Sequence, residues 1–259
     1  MLDQITPLII TYNEEENIER VLSKLAWASQ ILVIDSGSTD STLALLKENP
    51  RVRLIHRDFD SFAKQCNFGL EQIDTEWVLS LDSDYILTND FVEELKYWTP
   101  REGVSGYRVS FIYCIKGCQL RASLYPDRIV LYRSSKAFYE DEGHGHRVKV
   151  DGIVDRLTAP ILHDDRKSLE RWLDSQRRYS KIEASFLMAA NFNTLSLQDK
   201  LRRGVWLSVP LVFLYTLFWK RCLFDGRCGF LYVLQRTFAE VLLAIEILEL
   251  KYNEKGIRS

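Results

Sequence analysis

The chain has 259 residues, with 34 Lys and Arg against 36 Asp and Glu for a net charge of −2, and it is 46% hydrophobic. This is an ordinary globular composition, with enough chain for one substantial core or a core plus an appendage, and it excludes a generally basic nucleic-acid binder. Five cysteines, Cys66, Cys114, Cys118, Cys222 and Cys228, form no paired CxxC spacing, which argues against a zinc site or a disulfide framework and fits a reducing cytosol. The opening "MLDQITPLIITYN" lacks the basic start and long apolar core of an export signal.

The first hundred residues alternate strand-like and helix-like blocks. Residues 7–11 read as a strand and 13–27 as a helix, with Asn13 and Glu16 as a capping pair and Ile18, Val21, Leu22 and Leu25 as its apolar stripe. A strand over 30–37 leads to a helix over 40–49 that Asp40 can cap. A strand over 52–55, a helix over 62–73 and a strand from 76 follow. Such alternation predicts an α/β fold with a mostly parallel central sheet.

Ligands in such sheets bind beyond the carboxyl ends of the strands, and here each strand ends in polar residues. The first ends in Thr11-Tyr12-Asn13-Glu14, the second in "DSGSTD" and the later one in "DSD". Tyr12 can stack on a base, Asp35 can accept from a base or ribose, and Asp82 with Asp84 can hold a divalent metal bridging phosphates. Taken singly, Asp35 reads better as a turn residue before Gly37, Tyr12 as a packed rim aromatic and "DSD" as a solvated turn. Together they describe a site for a nucleotide diphosphate.

The stretches "TYNEEENI", "VIDSGSTDST", "KQCN" and "WVLSLDSD" resemble glycosyltransferase family 2 in order and spacing. The resemblance implies the GT-A fold of inverting nucleotide-sugar transferases, a divalent metal (Mg2+ or Mn2+), and a nucleotide-sugar donor, with UDP-sugars favoured. It places Thr11, Tyr12, Glu14 and Asp35 along the nucleotide, Lys64 near the base, Asp82 at the ribose or metal, and Asp84 on the metal. Many members have two adjacent aspartates where this chain has Asp35-Ser36, so the base stays open.

Residues 105–133 read as further strands, followed by "FYEDEGHGHRVKVDG". An inverting transfer needs a base for the acceptor hydroxyl, and Asp141, Glu142, His144 and His146 are candidates. The family base is usually an acid in this part of the chain, so Glu142 ranks first and Asp141 second; related lipopolysaccharide-core transferases place His146 at the acid's position. His163 resembles a family histidine that is a metal ligand or a structural residue.

Beyond Asp165 the composition changes. A helix with Arg177, Arg178 and Lys181 on a basic face precedes the uncharged run "GVWLSVPLVFLYTLFW", flanked by Arg202-Arg203 and Lys220-Arg221. The run is short for a membrane span and contains Pro210, so an interfacial or re-entrant helix is expected. A last helix over 229–251 places Phe230, Leu234, Phe238, Val241, Ile245 and Leu248 on one stripe, able to pack on that run. "LFDGRCGF" resembles the tail of bacterial core glycosyltransferases such as the lipopolysaccharide-core β-1,4-glucosyltransferases. The sequence thus divides into a nucleotide-sugar half of the GT-A domain (1–100), an acceptor half (101–165) and a membrane-associating helical region (166–259). The expected protein is a metal-dependent hexosyltransferase at the cytoplasmic face of the membrane, acting on a lipid-linked or cell-envelope glycan. Transfer to a polyprenyl phosphate, or a non-catalytic nucleotide-sugar-binding protein attached to the membrane, are the alternatives.

Overall fold

The computed structural model describes residues 1–142 and 145–256, without the side chains of 142, 145, 146 and 254–256. The chain resolves into two compact units, the first made of residues 1–119 and 125–167 and the second of 120–124 and 168–259.

The first unit carries thirteen described strands. They are β1 (Ile5–Thr11), β2 (Ile31–Asp35), β3 (Val52–His56), β4 (Trp77–Asp82), β5 (Tyr85–Leu87), β6 (Val104–Val109), β7 (Phe111–Ile115), β8 (Cys118–Gln119), β9 (Arg128–Arg133), β10 (Ala137–Glu142), β11 (Gly145–Val150), β12 (Ile153–Arg156) and β13 (Ile161–His163). Its helices are α1 (Ile18–Ser23), α2 (Thr42–Glu48), α3 (Phe62–Glu71) and α4 (Asn89–Tyr97). Seven strands form one sheet in the order β12-β6-β9-β4-β1-β2-β3. The β1–β2, β1–β4, β2–β3 and β6–β12 pairs are parallel, and β9 runs antiparallel to both its neighbours.

The interior strands are apolar runs because both faces are covered. On one face Ile9, Val33, Leu79 and Leu81 pack with Ile18, Val21, Leu22 and Leu25, with Leu46, and with Phe91 and Leu95. On the other, Leu8, Leu32, Ile34 and Val78 meet Ala63 and Cys66 of α3 and Tyr139 and Val148 of the β10–β11 hairpin. Each fully buried Val, Leu, Ile or Phe side chain among these contributes about 1.5–3 kcal/mol by leaving water. Gly69 lets α3 lie this close, since a Cβ there would sit 2.6 Å from Leu8 Cδ1.

The predicted stripe of the first helix is buried, but the helix is shorter than 13–27 and Asn13 does not cap it. Asn13 adopts φ +54°, and its Oδ1 accepts from Thr39 N–H at 2.7 Å, so it ties two rim loops together. Ser41, not Asp40, is the N-cap of α2; Asp40 lies one residue before it and accepts from Thr42 N–H at 3.0 Å.

The hairpin is held to α3 by Asn67, whose Oδ1 accepts Tyr139 N–H at 2.8 Å and whose Nδ2 donates to Tyr139 O at 3.0 Å. One side chain thus satisfies a backbone donor and acceptor that the two-stranded sheet leaves open. Asn67→Ala is expected to cost about 2–3 kcal/mol in urea denaturation, because it strands both groups, and to accelerate amide exchange at Tyr139 ahead of the sheet.

The second unit is helical, with α5 (Leu169–Ala189), α6 (Leu197–Gly204), α7 (Ser208–Leu214) and α8 (Gly226–Gly256), and a π-helical turn extends α7 through Tyr215–Trp219. Ala184, Leu187, Leu195, Val205, Leu243 and Ile247 form its core, and Leu124 N–H donates to the Tyr232 hydroxyl at 2.7 Å. Pro210 falls in the first turn of α7, where a missing N–H costs nothing. The α8 stripe expected to pack on the 204–219 run stays largely uncovered. Phe230, Leu234, Phe238, Ile245 and Leu248 are exposed, while Tyr232, Val233, Glu240, Leu243 and Ile247 face inward. The helix is apolar on several sides, and Arg202 lies 3.4 Å from Glu240 and 3.6 Å from Glu183, which makes the face with the acid buriable.

Candidate active site

The sheet register assembles the rim. Thr11 pairs with Asp35 and Ile10 with Asp82, so the polar ends of β1, β2 and β4 stand side by side. The intervening Ser83 is buried and its hydroxyl donates to Ile10 O at 2.8 Å. This staple turns the chain between β4 and β5.

That turn sets Asp84 against β13. His163 pairs with Tyr85 in register, Asp164 N–H donates to Asp84 O at 3.0 Å, and His163 Nε2 lies 3.3 Å from Asp84 Oδ2 with the two side chains 15% and 14% exposed. Burial raises the Asp84 pKa, but His163 and then Lys167 outweigh it and bring it to about 2. Burial correspondingly works against a charged His163, and Asp84 more than reverses this. Asp84 Oδ1 is buried without a hydrogen-bond partner among the described residues.

Glu14 receives Lys167 Nζ at 2.7 Å and Asn17 Nδ2 at 3.0 Å. Its burial pushes the carboxyl up to about 7, against the pull of Lys167. For Lys167, burial is outweighed by Glu14, Asp84 and Asp165, which hold the ammonium above its usual range. Asn17 is fully buried; it also donates to Asp165 Oδ1 at 2.9 Å and accepts Arg166 N–H at 2.9 Å. Arg20 pairs with Asp164. These contacts clasp the segment after β13 to the β1–α1 loop. Lys167 and Asn17 were not singled out from sequence, where Lys167 is one of several basic residues after 165.

Tyr12 is half-exposed at the rim, whereas Asp35 is only 1% exposed. The Asp35 carboxylate is taken up inside its loop, accepting from Gly37 N–H at 2.8 Å, Ser38 N–H at 2.9 Å and Ser38 Oγ at 2.5 Å. The "KQCN" residues divide their work. Lys64 is exposed and lies 3.5 Å from Asp60. Gln65 is buried and donates to Ser36 Oγ at 2.9 Å, and Asn67 docks the hairpin. Asp141 Oδ1 accepts Ala63 N–H at 3.1 Å, placing that carboxylate on the first turn of α3. Glu142 and His146 follow Asp141 on the same hairpin, with His146 paired to Asp141 in register; their side chains, and His144 as a whole, lie outside the described residues.

The sequence pattern of glycosyl transferase family 2 matches residues 7–147, more than half of the chain. A lipopolysaccharide core biosynthesis glycosyltransferase, LpsC of Rhizobium meliloti, is 24% identical over 70% of this chain and 70% of its own length. An uncharacterised glycosyltransferase of Rickettsia typhi is 21% identical over 99% of this chain and 90% of its own. The crystal structure of Staphylococcus aureus TarS 1-349 in complex with UDP superposes with a TM-score of 0.50 at 14% identity, covering 91% of this chain and 90% of that one. At that identity the likeness speaks for the fold, and the fold is the expected GT-A arrangement. The rim of polar strand ends and the span of the family match together assign this chain to glycosyl transferase family 2, as a glycosyltransferase.

Proposed function

We propose that the chain is a metal-dependent, inverting hexosyltransferase that moves a sugar from a nucleotide-sugar, a UDP-sugar by preference, to a lipid-linked or cell-envelope glycan at the cytoplasmic face of the membrane. The observation that carries this reading is the buried Asp84–His163 pair with its unpartnered carboxylate oxygen. A buried carboxylate oxygen without a donor calls for a cation; the carboxylates suit Mn2+ or Mg2+ completed by phosphate and water oxygens, and an imidazole nitrogen beside them favours Mn2+ of the two. Asp84 and His163 would hold the ion, with Asp82 beside them, and when bound it neutralises charge on the departing diphosphate. Thr11, Tyr12, Glu14, Asp35 and Lys64 are assigned to the nucleotide, Asp35 by shaping the loop that receives it.

Glu142 takes the proton of the acceptor hydroxyl as that oxygen bonds to the anomeric carbon. The bond from that carbon to the phosphate oxygen breaks, and its electron pair leaves with the nucleoside diphosphate. Asp141 serves as a cap that fixes the hairpin, with His146 as the alternative base. The relative named for lipopolysaccharide core biosynthesis supports the envelope acceptor. The reading is tested by a panel of nucleoside diphosphates scored for metal-dependent thermal stabilisation; no stabilisation by any of them removes it.

The membrane surface is assigned to the helical unit. Trp206 and Leu207 just before α7, and Leu211, Leu214, Phe218 and Trp219 along α7 and its extension, are exposed, Trp219 to 77%. Residues 222–253 form the one helix among those described that is long and apolar enough to cross a membrane by length and composition. Arg236 and Glu240 in its middle favour lying in the interface over crossing it. Of the basic flanks, Arg202 is turned to Glu240 and Arg203 donates to Ala190 O at 2.8 Å, which leaves Lys220 and Arg221 for anionic headgroups, at about 1 kcal/mol each. The full-length protein is expected to float with vesicles containing phosphatidylglycerol, and the Phe218→Asp, Trp219→Asp double variant to stay behind. Wild-type protein that remains at the bottom of the gradient rules out the lipid surface.

A further inference from the structure

We infer that Arg128 is a binding residue for the diphosphate of the sugar donor, a role that rests on the nucleotide-sugar reading above. β9 runs antiparallel to β4, with Leu79 opposite Leu131, so the first residue of β9 stands at the end of the sheet where β4 finishes in Asp82. That residue is Arg128. Its Cζ lies 5.5 Å from the centroid of the Tyr125 ring, the Tyr125 ring is 4.3 Å from that of His163, and His163 meets Asp84. A short series of contacts therefore links the guanidinium to the proposed metal pair.

The Nε of Arg128 is buried and has no hydrogen-bond partner among the described residues. Lys167 pairs with Glu14 and Arg166 with Asp164, while the rest of the Arg128 guanidinium hydrogen-bonds the Tyr125 side chain and lies near Asp82. A buried N–H of a guanidinium without an acceptor is costly unless a ligand supplies one. Phosphoryl oxygens fit, because the planar guanidinium presents parallel N–H groups in the spacing they accept. The Tyr125 ring beside Cζ and a hydrogen bond to the Tyr125 side chain hold the guanidinium in place before the ligand arrives. During transfer the electron pair of the broken bond settles on the diphosphate, and a fixed cation there stabilises the leaving group. Acceptors carrying a phosphate offer the same chemistry, so the test must separate donor from acceptor.

Calorimetry on the full-length chain with Mn2+, using the tightest-binding nucleoside diphosphate from a panel of four bases and its monophosphate, makes that separation. Arg128→Met is expected to weaken the diphosphate about tenfold or more, the contribution of charge-assisted hydrogen bonds, and to leave the monophosphate nearly unchanged. Arg128→Lys should recover part of the loss. Unchanged diphosphate affinity in Arg128→Met overturns the assignment, and if transfer falls nonetheless, the phosphoryl group it meets is the acceptor's. Equal weakening of mono- and diphosphate in both variants also overturns it, since that marks general damage to the site. A wild-type chain that binds none of the diphosphates removes the nucleotide-sugar reading together with this one, whereas an Arg128→Met chain that matches wild type removes only this one.

Discussion

Asp84→Ala is expected to lower sugar transfer by about 10²–10³ or more, the scale on which loss of one preorganised electrostatic contact to a transition state is felt, and to abolish metal-dependent nucleotide binding. Asp84→Asn should behave alike, because an amide keeps the shape and discards the charge. The fold should survive, although His163 loses the group that outweighs its burial and will then favour the neutral form. The same pair predicts a pH dependence. The His163 pKa lies above its ordinary 6.5 because Asp84 overcomes burial, and a metal can bind only the unprotonated nitrogen. Metal affinity should therefore rise as pH increases through the range above 6.5, and His163→Ala should flatten that rise. A fully active Asp84→Ala protein in Mn2+ or Mg2+ would end the metal proposal.

Glu142→Gln is expected to reduce turnover by about 10²–10⁴, the contribution of a positioned general base, with little change in nucleotide-sugar affinity. Asp141→Asn separates the neighbouring acid from this role. Its carboxylate sits on the N-terminal turn of α3, where loss of charge costs about 0.5–1 kcal/mol of stability, and turnover should change far less than with Glu142→Gln. Should Glu142→Gln retain near wild-type turnover while His146→Ala is inactive, the base is His146 and the chemistry stands. If all three variants turn over normally, the hairpin carries no base.

The alternation of strands and helices was legible because it rests on local periodicity. Ile18, Val21, Leu22 and Leu25 fall on one face of any helix they form, and the runs at β1, β2 and β4 are apolar throughout because a covered parallel sheet buries both faces. The gathering of Thr11, Asp35 and Asp82 at one rim also follows from sequence, since parallel strands end together. The resemblance carried the fold further than periodicity could, to the GT-A arrangement.

Other features depended on which strands are neighbours, and no local pattern contains that. Asp84 meets His163 only because β5 pairs with β13, and Lys167 reaches Glu14 only because Asn17 and Arg20 hold the segment after β13 against the β1–α1 loop. Asn13 looked like a cap because its spacing to Glu16 suits one; a longer-range bond to Thr39 drew it away. The inward face of α8 was likewise undetermined by its sequence, because apolar residues lie on several sides, and a periodic pattern selects a face only when one side is clearly more apolar than the rest. The partner made the choice. Arg202 neutralises Glu240 and allows the acid to be buried, while the stripe of Phe230, Leu234 and Phe238 stays outside.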